Sequence, residues 1–239
     1  MILHIPHSST FIPADITFDK ADIKKDIYRM TDWHTDDLFD CNHTIVKLDV
    51  SRLVCDVERF VVNEQMEDHG MGICYTTDSF GGLLRTVSDE ERTRIINDYY
   101  IPHHAKLYDS VKAELEDLGT AMILDCHSFS AERLLHEPLG NRPDFCIGTD
   151  AFHTPPALVK MLQNKLKSRG YSSLVNEPFA GTIVPLEYYN TNANVKSIMI
   201  EVNRSLYMDD DLEYPKAKLI VNDLINIIST YNQMDYYED

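Results

Sequence analysis

The sequence predicts an α/β fold: a three-layer sandwich in which a mixed, mostly parallel sheet carries helices on both faces. Three observations carry that expectation. Short, nearly continuous apolar runs rich in β-branched residues recur along the chain, among them ILHI, TIVKLDV, AMILDC and SIMIEV. Runs of this kind mark strands covered on both faces. Longer stretches with apolar residues at helical spacing lie between them, and strands alternating with helices build layered α/β sheets.

The elements run in order along the chain. Residues 2–5 form the first strand and residues 44–49 the second. Residues 89–118 place Ile95, Ile96, Tyr99, Tyr100, Leu107, Val111, Leu115 and Leu118 at helical spacing. Ser88, with Glu91 three residues on, is a capping-box signal at its start. Pro102 lacks the N–H that a helix interior needs, so this stretch is expected to break into two helices. Residues 121–126 and 145–148 are strands. Residues 154–169 are helical, with Pro155 in the first turn and Gly170 just past the end. Residues 197–202 form the last strand and residues 214–231 the last helix. No repeat, low-complexity tract or linker divides the chain, so residues 1–239 are expected to form one domain.

Charge narrows the function. The 239 residues include 39 acids and 22 bases, a formal net charge of −17. Such a surface repels nucleic acid and anionic membranes, which excludes both as partners. No apolar run approaches the ~20 residues of a membrane span. No basic segment precedes an apolar one at the start, so a signal peptide is not expected. Cysteines 41, 55, 74, 126 and 146 form no C-x-x-C pair. Reduced thiols in a cytoplasmic protein are the expectation. No feature of the pattern sets an oligomeric state.

Chemistry concentrates at the strand ends. ILHIPHS ends in His7; AMILDCHSF delivers Asp125, His127 and Ser128. SIMIEVNR delivers Glu201, Asn203 and Arg204, and VKLDVSRLVCDVERF carries Asp49, Arg52, Asp56, Glu58 and Arg59. In parallel sheets such groups meet in one crevice beyond the carboxyl ends of the strands. Two histidines and a carboxylate form a zinc set with a position left for water, and His7 and His127 are the natural imidazoles. Zinc lowers the pKa of bound water to roughly 7 and polarises a carbonyl. Glu201 is then placed to take a proton and pass it to a leaving amine. The plain alternatives are hydrogen-bonded structural histidines and a Glu201 paired with Arg52 or Arg204.

The ordered set HIPHSS, TDWHTDDLF, SRLVCDVERF, GMGICY, PHHAKL, DCHSF, PDFCIG and IMIEVNRSLYMD resembles the N-formylglutamate amidohydrolases, from about His4 to Asp209. The resemblance implies a phosphorylase/hydrolase-like fold related to the zinc carboxypeptidases. It also implies one bound zinc ion, or another divalent metal, and hydrolysis of N-formyl-L-glutamate to formate and L-glutamate, late in a route of histidine degradation. The substrate class is a small anionic N-acyl amino acid. Under this resemblance His7 and His127 match the zinc histidines. The carboxypeptidase-like acidic ligand, three residues past the first histidine, falls on Thr10, a poor ligand. Asp32 is taken in its place, with Asp36, Asp125 and Glu58 as the other acids in reach. Glu201 matches the general base. Arg52 and Arg59 match arginines that hold carboxylate or oxyanion, since each guanidinium can grip a carboxylate in bidentate fashion. His104, Asn203 and Arg204 are added as substrate contacts, and residues 63–87 as a lid. Two alternatives stand beside this reading: a metal-dependent amidase acting on another N-acyl amino acid or short peptide, and a ligand-binding domain without catalysis.

Overall fold

The computed structural model describes residues 1–135, 137, 139–208 and 213–235. Asp209, where the resemblance ends, lies outside them. The elements run β1 (Ile2–Ile5), α1 (Lys24–Met30), α2 (Thr35–Leu38), β2 (Thr44–Lys47), α3 (Asp89–Ile95), α4 (Ile101–Leu118), β3 (Ala121–Phe129), β4 (Phe145–Gly148), α5 (Pro156–Ser168), β5 (Ser173–Val175), β6 (Val195–Asn203) and α6 (Tyr214–Asp235). The six strands form one sheet in the order β2-β1-β3-β6-β4-β5. β2, β1, β3 and β6 run parallel, β4 is antiparallel to β6, and β5 is parallel to β4. Four carboxyl ends therefore meet at one edge, and all four bear the polar motifs.

Alternation along the strands sorts the two faces. Leu3, Ile5, Leu124, Cys126, Ile198, Ile200 and Val202 pack on one face against Leu158, Leu162 and Leu166 of α5 and Ile220, Val221, Leu224, Ile225 and Ile228 of α6. Ile2, Ala121, Ile123 and Val195 turn to the other face and meet Leu107 and Val111 of α4. The fold is thus a mixed, mostly parallel α/β sheet with helices on both faces. Continuing the second alternation, His4, Asp125, His127 and Glu201 belong to the α4 face. They are buried where the apolar layer gives out.

Several boundaries differ from the expectation. β3 runs on past Cys126 to Phe129, and β6 extends the expected 197–202 to Val195–Asn203; His127 and Glu201 are paired residues in the ladder. The polar His127 ended the apolar run of β3, but Leu124 and Cys126 on the opposite face keep the strand in the sheet. β5 and the short helices α1 and α2 carry too little periodicity to be read. The Ser88 hydroxyl accepts from the Glu91 N–H at 3.1 Å, as the cap predicts. Pro102 does not end the helix. A π turn, Ile96–Tyr100, joins α3 to α4 with right-handed helical dihedrals at Ile95, Ile96, Tyr100 and Ile101. The wider turn lets the proline ring sit without a break.

Residues 63–87 form a wall rather than a free flap. Met71, Ile73, Cys74, Tyr75 and Leu84 are buried in two clusters. Arg85, 1 % exposed, donates from Nε to the Tyr75 carbonyl and from Nη2 to that of Val54. No described helix is long and apolar enough to cross a membrane.

β4 lies so close to its neighbours that a methyl group at Gly148 would collide with the Gly181 carbonyl oxygen and the Met199 side chain. Gly148→Ala is expected to destabilise the protein by about 1–3 kcal/mol, the usual cost of overpacking. Urea unfolding should show a lowered midpoint at unchanged slope; an unaltered midpoint would contradict the packing.

Candidate active site

The site is assembled from backbone outward. Two residues past the end of β1 stands His7, whose carbonyl accepts from the N–H of Asp32 at 2.9 Å. This bond pins the turn between α1 and α2 against the sheet edge. Asp32 is therefore a turn residue two positions before the α2 cap, His34, and not itself the cap. Next to His7, across β3, stands His127; the two rings lie 5.2 Å apart, centroid to centroid. Asp32 Oδ2 is 3.0 Å from His127 Nδ1 and 3.7 Å from His7 Nδ1. All three side chains are buried.

Each histidine is held by its other nitrogen. His7 Nε2 lies 2.9 Å from Asp56 Oδ1, and His127 Nε2 lies 3.0 Å from Asp125 Oδ1 and 3.1 Å from Glu58 Oε1. Ionised carboxylates only accept, so both Nε2 atoms donate and both Nδ1 atoms turn toward Asp32. His7 Nδ1 is buried without a hydrogen-bond partner. Ligands about 2.0–2.1 Å from a tetrahedral ion stand roughly 3.4 Å from one another, close to the two Asp32 distances. Histidines that donate their second N–H to carboxylates are the usual company of a metal ion. His7, Asp32 and His127 thus fit a zinc ion.

Electrostatics agree. Burial would lower the pKa of His127, but Glu58 and Asp125 outweigh it and push the ring well above the ordinary histidine value. The cluster demands positive charge. Burial would raise Asp32, yet the His127 ring bonded to it and the His7 ring beside it hold its carboxyl below the usual range.

Asp56 organises the second wall. It is fully buried. Besides His7 it accepts from Tyr75 Oη at 2.6 Å, Arg52 Nη2 at 2.8 Å and the Glu58 N–H at 3.1 Å. Burial raises its pKa, and the charges of Arg52, Arg59 and His7 overcome that and hold it well below the carboxylate range.

Over this cluster lies a cavity of about 320 Å³, lined among others by Arg52, Glu58, Arg59, Tyr75, Phe179 and Glu201. Glu201 stands beside His127 in the β3–β6 ladder. Its Oε2 is buried without a partner. Burial is the chief cause that pushes its carboxyl up to about 8, with Asp32 and Glu58 adding to the rise and His127 and Arg52 opposing it. Arg59 spends Nε on the Met71 carbonyl at 3.2 Å. Its terminal nitrogens make no hydrogen bond among the described residues.

The structure does not bring every expected residue to the cavity. Asn203 caps the turn Arg204–Leu206, accepting from Ser205 and donating to the Pro143 carbonyl. His104 gives its Nε2 to the Val57 carbonyl at 2.8 Å and lines a neighbouring cavity of about 400 Å³. Arg204 reaches the wall, but it donates to the carbonyls of Tyr28, Arg29 and Thr31 at the end of α1. In all three, backbone hydrogen bonds occupy groups expected to bind substrate. Tyr75 had no assigned role; its only signal was its place in GMGICY.

The chain superposes on the crystal structure of an N-formylglutamate amidohydrolase from Ralstonia eutropha JMP134 with a TM-score of 0.82 at 22% identity, covering 98% of this chain and 94% of that one. A gene product of Agrobacterium tumefaciens shares the fold at a TM-score of 0.66 and 16% identity, over 96% and 91% of the two chains. The chain itself belongs to the N-formylglutamate amidohydrolase family, whose profile matches residues 1–208. N-formylglutamate deformylases of Pseudomonas putida and Pseudomonas aeruginosa are 27% and 25% identical to it. The first alignment covers 75% of this chain and 71% of the relative, the second 90% and 84%.

Asp56→Ala leaves the half-buried Arg52 and the buried His7 imidazole without their partner. It is expected to cost about 3–5 kcal/mol, read as a lowered urea midpoint of the metal-free protein. A loss within experimental scatter of zero would show that Asp56 does not organise this wall.

Proposed function

We propose that this chain is a zinc-dependent hydrolase of N-formyl-L-glutamate, releasing formate and L-glutamate. The observation that carries the reading is the convergence of His7 Nδ1 and His127 Nδ1 on Asp32 beside the unpartnered carboxyl of Glu201. The deformylase relatives support the substrate. His7, Asp32 and His127 would hold the ion, which supplies Lewis-acid polarisation of the formyl carbonyl and a more acidic water. Glu201 takes a proton from the attacking water as the new C–O bond forms. It returns that proton to the nitrogen as the C–N bond breaks, and a carboxyl near the working pH suits both transfers. Arg59 presents its free guanidinium end to a substrate carboxylate. Arg52, fixed by Asp56, offers positive charge to the developing oxyanion. Five free thiols are in keeping with a reducing compartment such as the cytoplasm, and the products fit a late step of histidine degradation.

Formate release from N-formyl-L-glutamate should vanish on chelation and return with zinc. Glu201→Gln should lower kcat by roughly 10²–10⁴-fold while zinc content is unchanged. A pure, zinc-replete preparation that releases no formate would overturn the reading.

Arg59→Ala should cost about 100-fold in kcat/KM, roughly 3 kcal/mol, the scale of losing one partner of a desolvated charge pair. The loss should shrink for an N-formyl amino acid with one carboxylate. An equal loss for both would remove Arg59 from carboxylate recognition.

A further inference from the structure

We propose that His4 and His103 are positioning residues for this site. Through a buried chain, His103–His4–Asp125–His127, they fix which ring nitrogen of His127 faces Asp32. The inference rests on the zinc-hydrolase reading and extends it to residues that touch neither metal nor substrate.

The chain is continuous. Asp125 Oδ1 lies 3.0 Å from His127 Nε2 and 2.7 Å from His4 Nδ1, and its Oδ2 accepts from the Ile183 N–H at 3.1 Å. A carboxylate oxygen only accepts, so both histidines donate to Asp125. An imidazole that carries its one proton on Nδ1 leaves Nε2 bare. The group facing that atom is His103 Nε2, at 2.8 Å. His103 must then be the donor, and this fixes the sense of every bond: His103 to His4, His4 to Asp125, His127 to Asp125. His4 is 0 % exposed and His103 5 %, so solvent does not compete.

α4 sets the far end. The π turn, Ile96–Tyr100, stands directly ahead of α4 and of Pro102. A π turn inserts one residue into a helix and rotates the residues beyond it, and such turns gather at functional sites. Here the rotation sends His103 toward β1 while His104 takes the Val57 carbonyl. The Pro-His-His sequence thus finds its use: one histidine supports the site from behind, and its neighbour ties down the 52–59 segment.

Zinc affinity, measured by competition with a chromophoric chelator, tests the proposal. His103→Leu should weaken binding about 10–100-fold, the usual effect of losing a group that orients a ligand. His103→Gln, which keeps a donor, should retain most of the affinity. Long-range ¹H–¹⁵N correlation spectra of zinc-loaded wild type give a second readout that needs no variant to fold. They should place the proton on Nδ1 of His4 and on Nε2 of both His103 and His127. Wild-type affinity in His103→Leu would overturn the inference and leave the zinc reading intact, as would a His103 proton on Nδ1. Equal loss in the Leu and Gln variants, tracking their stability, would reduce His103 to packing. A wild-type protein that binds no zinc would remove the functional reading and this inference together.

Discussion

A carboxylate at zero exposure, Asp56, holds the two halves of the site in one place. It sits in the DVERF segment beyond β2, yet it takes a proton-bearing nitrogen from His7 just past β1 and a phenol from Tyr75 in the 63–87 wall. Isolated, a charge so deep would cost several kcal/mol or stay protonated. Four donors remove that penalty together: two are charged or polar side chains from the same wall, one is an imidazole and one a backbone N–H. Because Asp56 can only accept, it dictates the orientation of everything that touches it. The His7 ring presents Nδ1 to the cavity for this reason.

Asp125 repeats the arrangement for His127 from the opposite side. The two nitrogens that turn toward Asp32 are thus set by two buried acids on the far sides of the rings. This division explains why the cluster holds so many carboxylates in so small a volume. Asp32 meets the two Nδ1 atoms, Asp56 and Asp125 orient, and Glu58 bridges, with one oxygen 3.1 Å from His127 Nε2 and the other 3.6 Å from His7 Nδ1. The charge of such a group is tolerable only when cations are built in with it, and Arg52 and Arg59 supply two.

The sheet was legible because its signal is local. Apolar runs with β-branched residues located β1, β3, β4 and β6, and period-2 alternation places Ile123, Asp125 and His127 on one face with Leu124 and Cys126 on the other. His7 and His127 were readable as strand-end imidazoles, although nothing local showed that they meet. Asp32 came from elimination along a resemblance, and the Asp32–His7 backbone bond that places it has no sequence signature. Asp56 was one acid among several. Its partners His7 and Tyr75 are 49 and 19 residues away, so its role as a hub is a property of the packed chain alone. His104, Asn203 and Arg204 are tied to backbone carbonyls, although Arg204 still lines the cavity. Polar residues after a strand serve caps and turns as readily as ligands, and only the count of backbone acceptors around them decides.

The same counting distinguishes the two arginines. Arg52 is clamped: Nη2 is committed to Asp56 at 2.8 Å, and the guanidinium lies 5.9 Å from the centre of the Tyr75 ring. A group so constrained cannot follow a ligand, but it offers a fixed charge at one point, which is what a transient oxyanion needs. Arg59 is anchored through Nε to the Met71 carbonyl, with Asp56 at 3.7 Å behind it. Its forked end remains to grip a planar carboxylate. In a chain of net charge −17, these two guanidinium groups set local positive charge against the acidic background at the cavity that also holds Glu201.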